Sequence, residues 1–324
     1  MAHRLNYTLG PLPWSEERLR QAYFKSFTAT RKAIQELPGF QVHRDLLTLQ
    51  LSLNIFRDAV TDLMKSIDLF HGHSQESSFW TRPERQRFEQ HVIMVQRGIF
   101  SAVTSAMALF AYSRIICDRL KLGEYRDRFS AEFDKSEEHQ FIYHLRNCIC
   151  HVSVIEVGWQ CRISYITGER STRFLLEPQL LFEYRKWDKL SRTFIKRHPE
   201  GIDAKELFEK YRTRVDNFYE WVFTEITRLS EPNLSEYRQY ERILNRFDVK
   251  SWWNVILKQQ VIGKRDPYAY LERYLTKAEL DEVLALPMRS KEQVDRIIEI
   301  VDEYGACDDD LKATVYSAFG VSSR

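Results

Sequence analysis

Arg146, Asn147 and His151 fall within six consecutive residues, at the end of the run Glu137-Glu138-His139-Gln140-Phe141-Ile142-Tyr143-His144-Leu145-Arg146-Asn147-Cys148-Ile149-Cys150-His151. Imidazole can both accept and donate a proton near neutral pH, and a guanidinium is a permanently charged fork of donors that matches phosphate oxygens. With the Asn147 amide to orient them, these are the parts for cleaving an RNA phosphodiester without a metal. His151 can deprotonate a ribose 2′-hydroxyl or protonate the leaving oxygen, while Arg146 stabilises charge on the phosphorane. One histidine and one arginine are a thin machine. Two copies brought together across a two-fold axis supply two of each, so a homodimer belongs to this reading.

The element that must position these groups is a helix. Phe141, Leu145, Cys148 and Val152, flanked by Ile142 and Ile149, form an apolar stripe at helical spacing. At about 100° per residue, Gln140, His144, Asn147 and His151 lie on a narrow polar stripe opposite it. Arg146 lies off that stripe, so either its flexible guanidinium reaches around the helix edge or the helix distorts there. Asp134 followed by Glu137 has the capping-box pattern, and Ser136 is a competing cap. His144 is a candidate auxiliary group, with a structural hydrogen bond as its plainer role; His139 and Glu138 sit near the helix start, where capping is the plain role. His144 and His151 are two turns apart, too far for an unaided metal pair, and no acid on that face has ligand spacing, so no metal is expected. Cys148 and Cys150 read as buried thiols.

The segment Arg146-Asn147-Cys148-Ile149-Cys150-His151 resembles the signature of the HEPN superfamily, in which an arginine is followed by a polar residue and, a few positions later, a histidine. Members that keep this signature are typically metal-independent endoribonucleases of toxin–antitoxin, antiviral or RNA-processing systems. They are bundles of four to five helices that dimerise to form a composite site. The resemblance implies that Arg146 and His151 are the catalytic pair and Asn147 their polar support, with no cofactor and a cyclic-phosphate product. It covers roughly residues 41–230 and leaves the target RNA open.

The rest of the chain fits a mainly all-α protein: a multi-helix bundle of HEPN type with a small β-hairpin insertion and a helical C-terminal extension. Helical periodicity is expected over Ser15–Leu37, Val42–Leu69 and Pro83–Leu120, the last with a place for a kink near Ser101–Ser105. It is also expected over Glu124–Phe133, Leu180–Arg197 and Asp203–Ser230. Trp159, Cys161, Ile163 and Tyr165 alternate with polar residues before a turn at Thr167-Gly168, which places a hairpin at about 159–176. Glu231-Pro232-Asn233 marks a boundary. The organisation is therefore an N-terminal helix (1–40), a helical domain (41–230) and a helical extension (231–324).

With 44% hydrophobic and 13% aromatic residues, the chain has the composition of a folded protein with a core of large rings. The formal charge of +2 demands that any nucleic-acid affinity come from a local patch. One candidate is Tyr184–His198, where six bases face one acid. There Arg185, Lys186, Lys189 and Arg192 are candidate RNA-backbone contacts, and the interleaved rings can either stack on bases or turn inward. Five cysteines without a CxxC pair, together with an N-terminus that has no apolar run, suggest a reducing, cytoplasmic setting. The greasy stretch Ile99–Ile116 is broken by Ser101, Thr104, Ser105, Ser113 and Arg114; it reads as a core helix and not a membrane span. Trp252-Trp253 reads as core or interface. The expected partners are RNA, a second copy of the chain and an antitoxin or regulatory protein, with no membrane. The competing reading is a catalytically inactive helical scaffold that binds a protein or nucleotide.

Overall fold

The computed structural model describes residues 9–151, 157–263 and 266–321; the side chains of residues 150, 151 and 259–263 lie outside that description. The fold is mainly α-helical with a small antiparallel sheet. It divides into one unit formed by Met1–Gln41 together with Pro232–Arg324, and another formed by Val42–Glu231.

In the first unit, α1 (Glu16–Lys25) starts on Ser15, whose side chain accepts from the Arg18 amide, and it stops at Ser26. The continuous helix expected here is broken because Ser26 is extended and caps a second helix, α2 (Phe27–Gln35), by accepting from the Ala29 amide. Leu19, Ala22, Tyr23 and Ile34 pack with Tyr237, Tyr240, Ile243 and Leu244.

The second unit is built on two long helices, α3 (Pro38–Ser74) and α4 (Arg85–Arg119). Gly98 lets them approach: a Cβ there would sit 3.1 Å from the Leu63 Cα. Helix α4 runs through Ser101–Ser105 without interruption, and the Ser105 hydroxyl bonds back to the Ser101 carbonyl at 2.6 Å. The segment Arg82–Arg119 is long and apolar enough to cross a membrane by length and composition alone, a test that a core helix also passes. Its stripe Val95, Ile99, Ala102, Val103, Ala106, Leu109 and Phe110 is buried as core.

Next come α5 (Tyr125–Phe129), a π-helical turn over Ser130–Asp134, and α6 (Glu137–His151). The hairpin pairs β1 (Gly158–Ile163) with β2 (Arg170–Leu176), in the register Gly158↔Leu175 to Ile163↔Arg170. A two-residue strand β3 (Ile202–Asp203), too short to leave a sequence signal, adds to β2. The alternation in β1 marks the strand but not burial: Ile163 and Tyr165 are exposed, and the sheet buries Phe174, Leu175 and Leu176 instead.

The helix expected over 180–197 is split into α7 (Pro178–Leu181) and α8 (Lys189–Arg197). The indole of Trp187 donates to the Leu181 carbonyl at 2.6 Å, and Asp188 caps α8 by accepting from the Ser191 amide at 2.8 Å. The last long helix, α9 (Ala204–Gly263), runs through Pro232, which lacks the N–H for one helical bond. Leu207, Tyr211, Val215, Phe218, Val222 and Ile226 are buried before Pro232, and Leu234, Tyr237, Tyr240 and Leu244 after it.

The first unit continues through α10 (Lys277–Leu284), α11 (Lys291–Val301) and α12 (Asp309–Phe319), around a core that includes Leu257, Val283, Val294 and Phe319. Trp253 packs on that core, whereas Trp252 is 68% exposed and belongs to neither core nor a described contact.

Candidate active site

Helix α6 starts on Ser136: its hydroxyl accepts from the His139 amide at 3.3 Å, and its carbonyl accepts from the Gln140 amide. Asp134, the other cap suggested by sequence, is taken into the π-helical turn. Arg214 of α9 donates to the Ser136 hydroxyl at 2.5 Å and pairs with Glu138 at 3.3 Å and Glu132 at 3.5 Å. Burial lifts the Glu138 carboxyl above the usual range, and the Arg214 and Lys210 cations offset part of that rise. The His139 ring is buried among Phe110, Phe129 and Phe133, with Nδ1 2.7 Å from the Tyr211 hydroxyl. Burial, aided by Arg214, pushes its pKa down to about 4, so it is a neutral core residue at physiological pH.

The expected apolar stripe faces the core: Phe141, Ile142, Leu145 and Cys148 are buried, and the Phe141 ring stacks on Trp187 at 5.3 Å. Val152 lies outside the described residues. Cys148 is a buried thiol whose pKa is raised by burial; the Cys150 side chain lies outside the description.

The polar stripe is not one open surface. At His144, the start of α8 comes across it, bringing the Trp187 ring to 6.3 Å and the Asp188 Oδ1 to 3.9 Å from Nε2. That separation suits an ion pair but not a hydrogen bond. His144 Nδ1 is buried, with no hydrogen-bond partner among the described residues. Burial opposes ionisation of Asp188, yet hydrogen bonding from Ser191 and the neighbouring His144 hold its carboxyl below the ordinary range. His144 is therefore an enclosed imidazole with a carboxylate at hand, a link that needed the tertiary fold to become visible.

Arg146 and Asn147 are half-buried near the C-terminal end of α6, and Arg146 Nη1 donates to Asn147 Oδ1 at 3.2 Å. The two side chains thus meet although they are adjacent in sequence, because the guanidinium bends around the helix edge. His151 is helical, four residues beyond Asn147, and its side chain lies outside the described residues. On a helix, residues four apart share a face, so Asn147 and His151 have neighbouring positions.

The basic run is placed in the loop before α8 and along that helix. Arg185, Lys186, Lys189 and Arg192 are all exposed. Arg192 also uses two donors to hold the loop, bonding the carbonyls of Trp187 and Arg185 at 3.0 Å each. The interleaved rings turn inward, with Tyr184 and Trp187 buried, so the reading in which they stack on bases fails. Helix α8 packs on α6, with Arg197 paired to Glu137 at 2.8 Å, so the cations and the Arg146 helix belong to one packed pair of elements. Comparisons with protein-family models, with curated proteins and with solved structures returned no match.

Proposed function

We propose that this protein is a metal-independent endoribonuclease of HEPN type, working as a cytoplasmic homodimer in a toxin–antitoxin or antiviral setting. The observation that carries this reading is the Arg146–Asn147 pair, half-exposed and hydrogen-bonded on a helix whose other face is core, one turn before His151. In this mechanism, His151 takes the proton from a 2′-hydroxyl as that oxygen attacks the adjacent phosphorus. The 5′-oxygen leaves with a proton from the second His151 of the dimer, and a 2′,3′-cyclic phosphate forms. Arg146 stabilises the extra negative charge on the phosphorane, and Asn147 holds the guanidinium in place. The exposed cations Arg185, Lys186 and Lys189 supply backbone attraction for RNA. An exposed apolar row at helical spacing on α3, Leu47, Leu51 and Ile55, supports association of two copies.

The test is cleavage of a mixed RNA pool in EDTA by wild type, Arg146→Ala and His151→Ala. The expected result is cyclic-phosphate ends from wild type and a loss of at least about 100-fold in each variant. Equal cleavage by all three would remove Arg146 and His151 from the mechanism; no cleavage by a folded, dimeric wild type would favour the scaffold reading.

A further inference from the structure

A cleft of about 440 Å³ opens where α6 meets α4 and α5, a size within the range of roughly 300–1,000 Å³ found for small-molecule sites. The π-helical turn Ser130–Asp134 forms part of its wall, and such turns recur at functional sites. The lining combines aromatic rings, Phe129 and the 46% exposed Tyr143, with the exposed groups Arg114 and Asp134 and the Gln140 amide. His139 also borders the cleft. Its Nδ1 is held 2.7 Å from the fully buried Tyr211 hydroxyl, which fixes the ring against the cleft's inner wall.

Tyr143 is three residues before Arg146 and four before Asn147, one turn or about 5 Å along α6. The cleft therefore ends about one nucleotide step from the Arg146–Asn147 pair.

We infer that this cleft is a nucleotide subsite that reads one unpaired base of an RNA strand next to the scissile phosphate. This rests on the ribonuclease reading. The base stacks on the Tyr143 ring, Arg114 takes a phosphate, and Asp134 and Gln140 meet the base edge. A carboxylate among these groups accepts from an exocyclic amine, so adenine, cytosine and guanine are preferred over uracil. A free nucleoside monophosphate has the same chemistry, and the experiment separates the two sources.

Binding of AMP, CMP, GMP, UMP and a single-stranded hexamer with 2′-deoxy sugars, which cannot be cleaved by 2′-hydroxyl attack, is measured by calorimetry on the full chain. The variants are Arg114→Gln, Tyr143→Ala and Arg146→Ala, each checked by circular dichroism. The hexamer is expected to bind more tightly than any monophosphate, and to lose about 10-fold in affinity in Tyr143→Ala and several-fold in Arg114→Gln. Arg146→Ala should keep the base preference. Hexamer affinity unchanged in both cleft variants would overturn the subsite, as would monophosphate binding with no gain for the strand. Cleft-dependent hexamer binding by a wild type that cleaves no RNA would uphold the subsite and retire the nuclease reading, so the two failures remain distinguishable.

Discussion

The first two turns of α6 and the turn that carries Arg146 and Asn147 differ in the partners described for them. At the start, Ser136, Glu138 and His139 are tied to Arg214 and Tyr211 of α9, and aromatic rings enclose the imidazole. Further along, the hydrogen bond described for Arg146 and Asn147 is the one they make with each other. One end of the helix is tied into α9, and the other holds the half-buried, hydrogen-bonded Arg146 and Asn147. His139 and His144 are five residues apart on one helix, yet the first is neutral in the core and the second lies against a carboxylate.

The largest test of this contrast is Phe141→Ala, which removes a fully buried ring stacked on Trp187 and should cost about 3–5 kcal/mol of unfolding free energy by urea titration. Next is pH. The His139 pKa is lowered to about 4 when folded, against about 6.5 unfolded, so between those values the unfolded chain binds more protons. The contribution is fully present above about pH 6.5 and is lost as pH falls towards 4, by about 3 kcal/mol in all. His139→Phe should flatten that part of the stability–pH profile; an equal slope in the variant would assign it to other groups. Removing the α8 cap with Asp188→Ala should cost about 1 kcal/mol, with Asp188→Asn retaining most of it. Smallest of all, Arg146→Ala should change stability by no more than about 0.5 kcal/mol while lowering cleavage by at least about 100-fold. A loss of several kcal/mol there would make Arg146 a structural residue and erase the contrast.

The helical class, the hairpin and the buried face of α6 were legible because each leaves a periodic trace in apolar residues. Phe141, Leu145 and Cys148 repeat at helical spacing, and Phe174 to Leu176 end a strand at Pro178. What the sequence did not disclose depends on partners distant along the chain. Nothing near His139 announces Tyr211, and nothing near His144 announces Asp188, because the imidazoles meet their neighbours only after α8 and α9 pack. Helix breaks were misjudged for a related reason. Ser26 and Asp188 stop one helix and begin another through a single side-chain cap, whereas Pro232 looks like a terminator but costs only one backbone bond in a helix buried on both sides of it. The cleft beside Tyr143 was also hidden, since its walls come from four elements, one of them a π-helical turn that no local pattern marks.

The partnership between the first 41 residues and the segment after Pro232 bears on biosynthesis. Leu19, Ala22 and Tyr23 leave the ribosome with no core to join, because Tyr237, Tyr240 and Leu244 follow only after the 190 residues of Val42–Glu231 have been made. At roughly 5–20 residues per second that interval is about 10–40 s, during which the nascent N-terminus displays an apolar face. A helical unit that is contiguous in sequence can fold during this time, so the segment bearing Arg146 can reach its structure before Leu19 and Tyr23 meet Tyr237 and Tyr240.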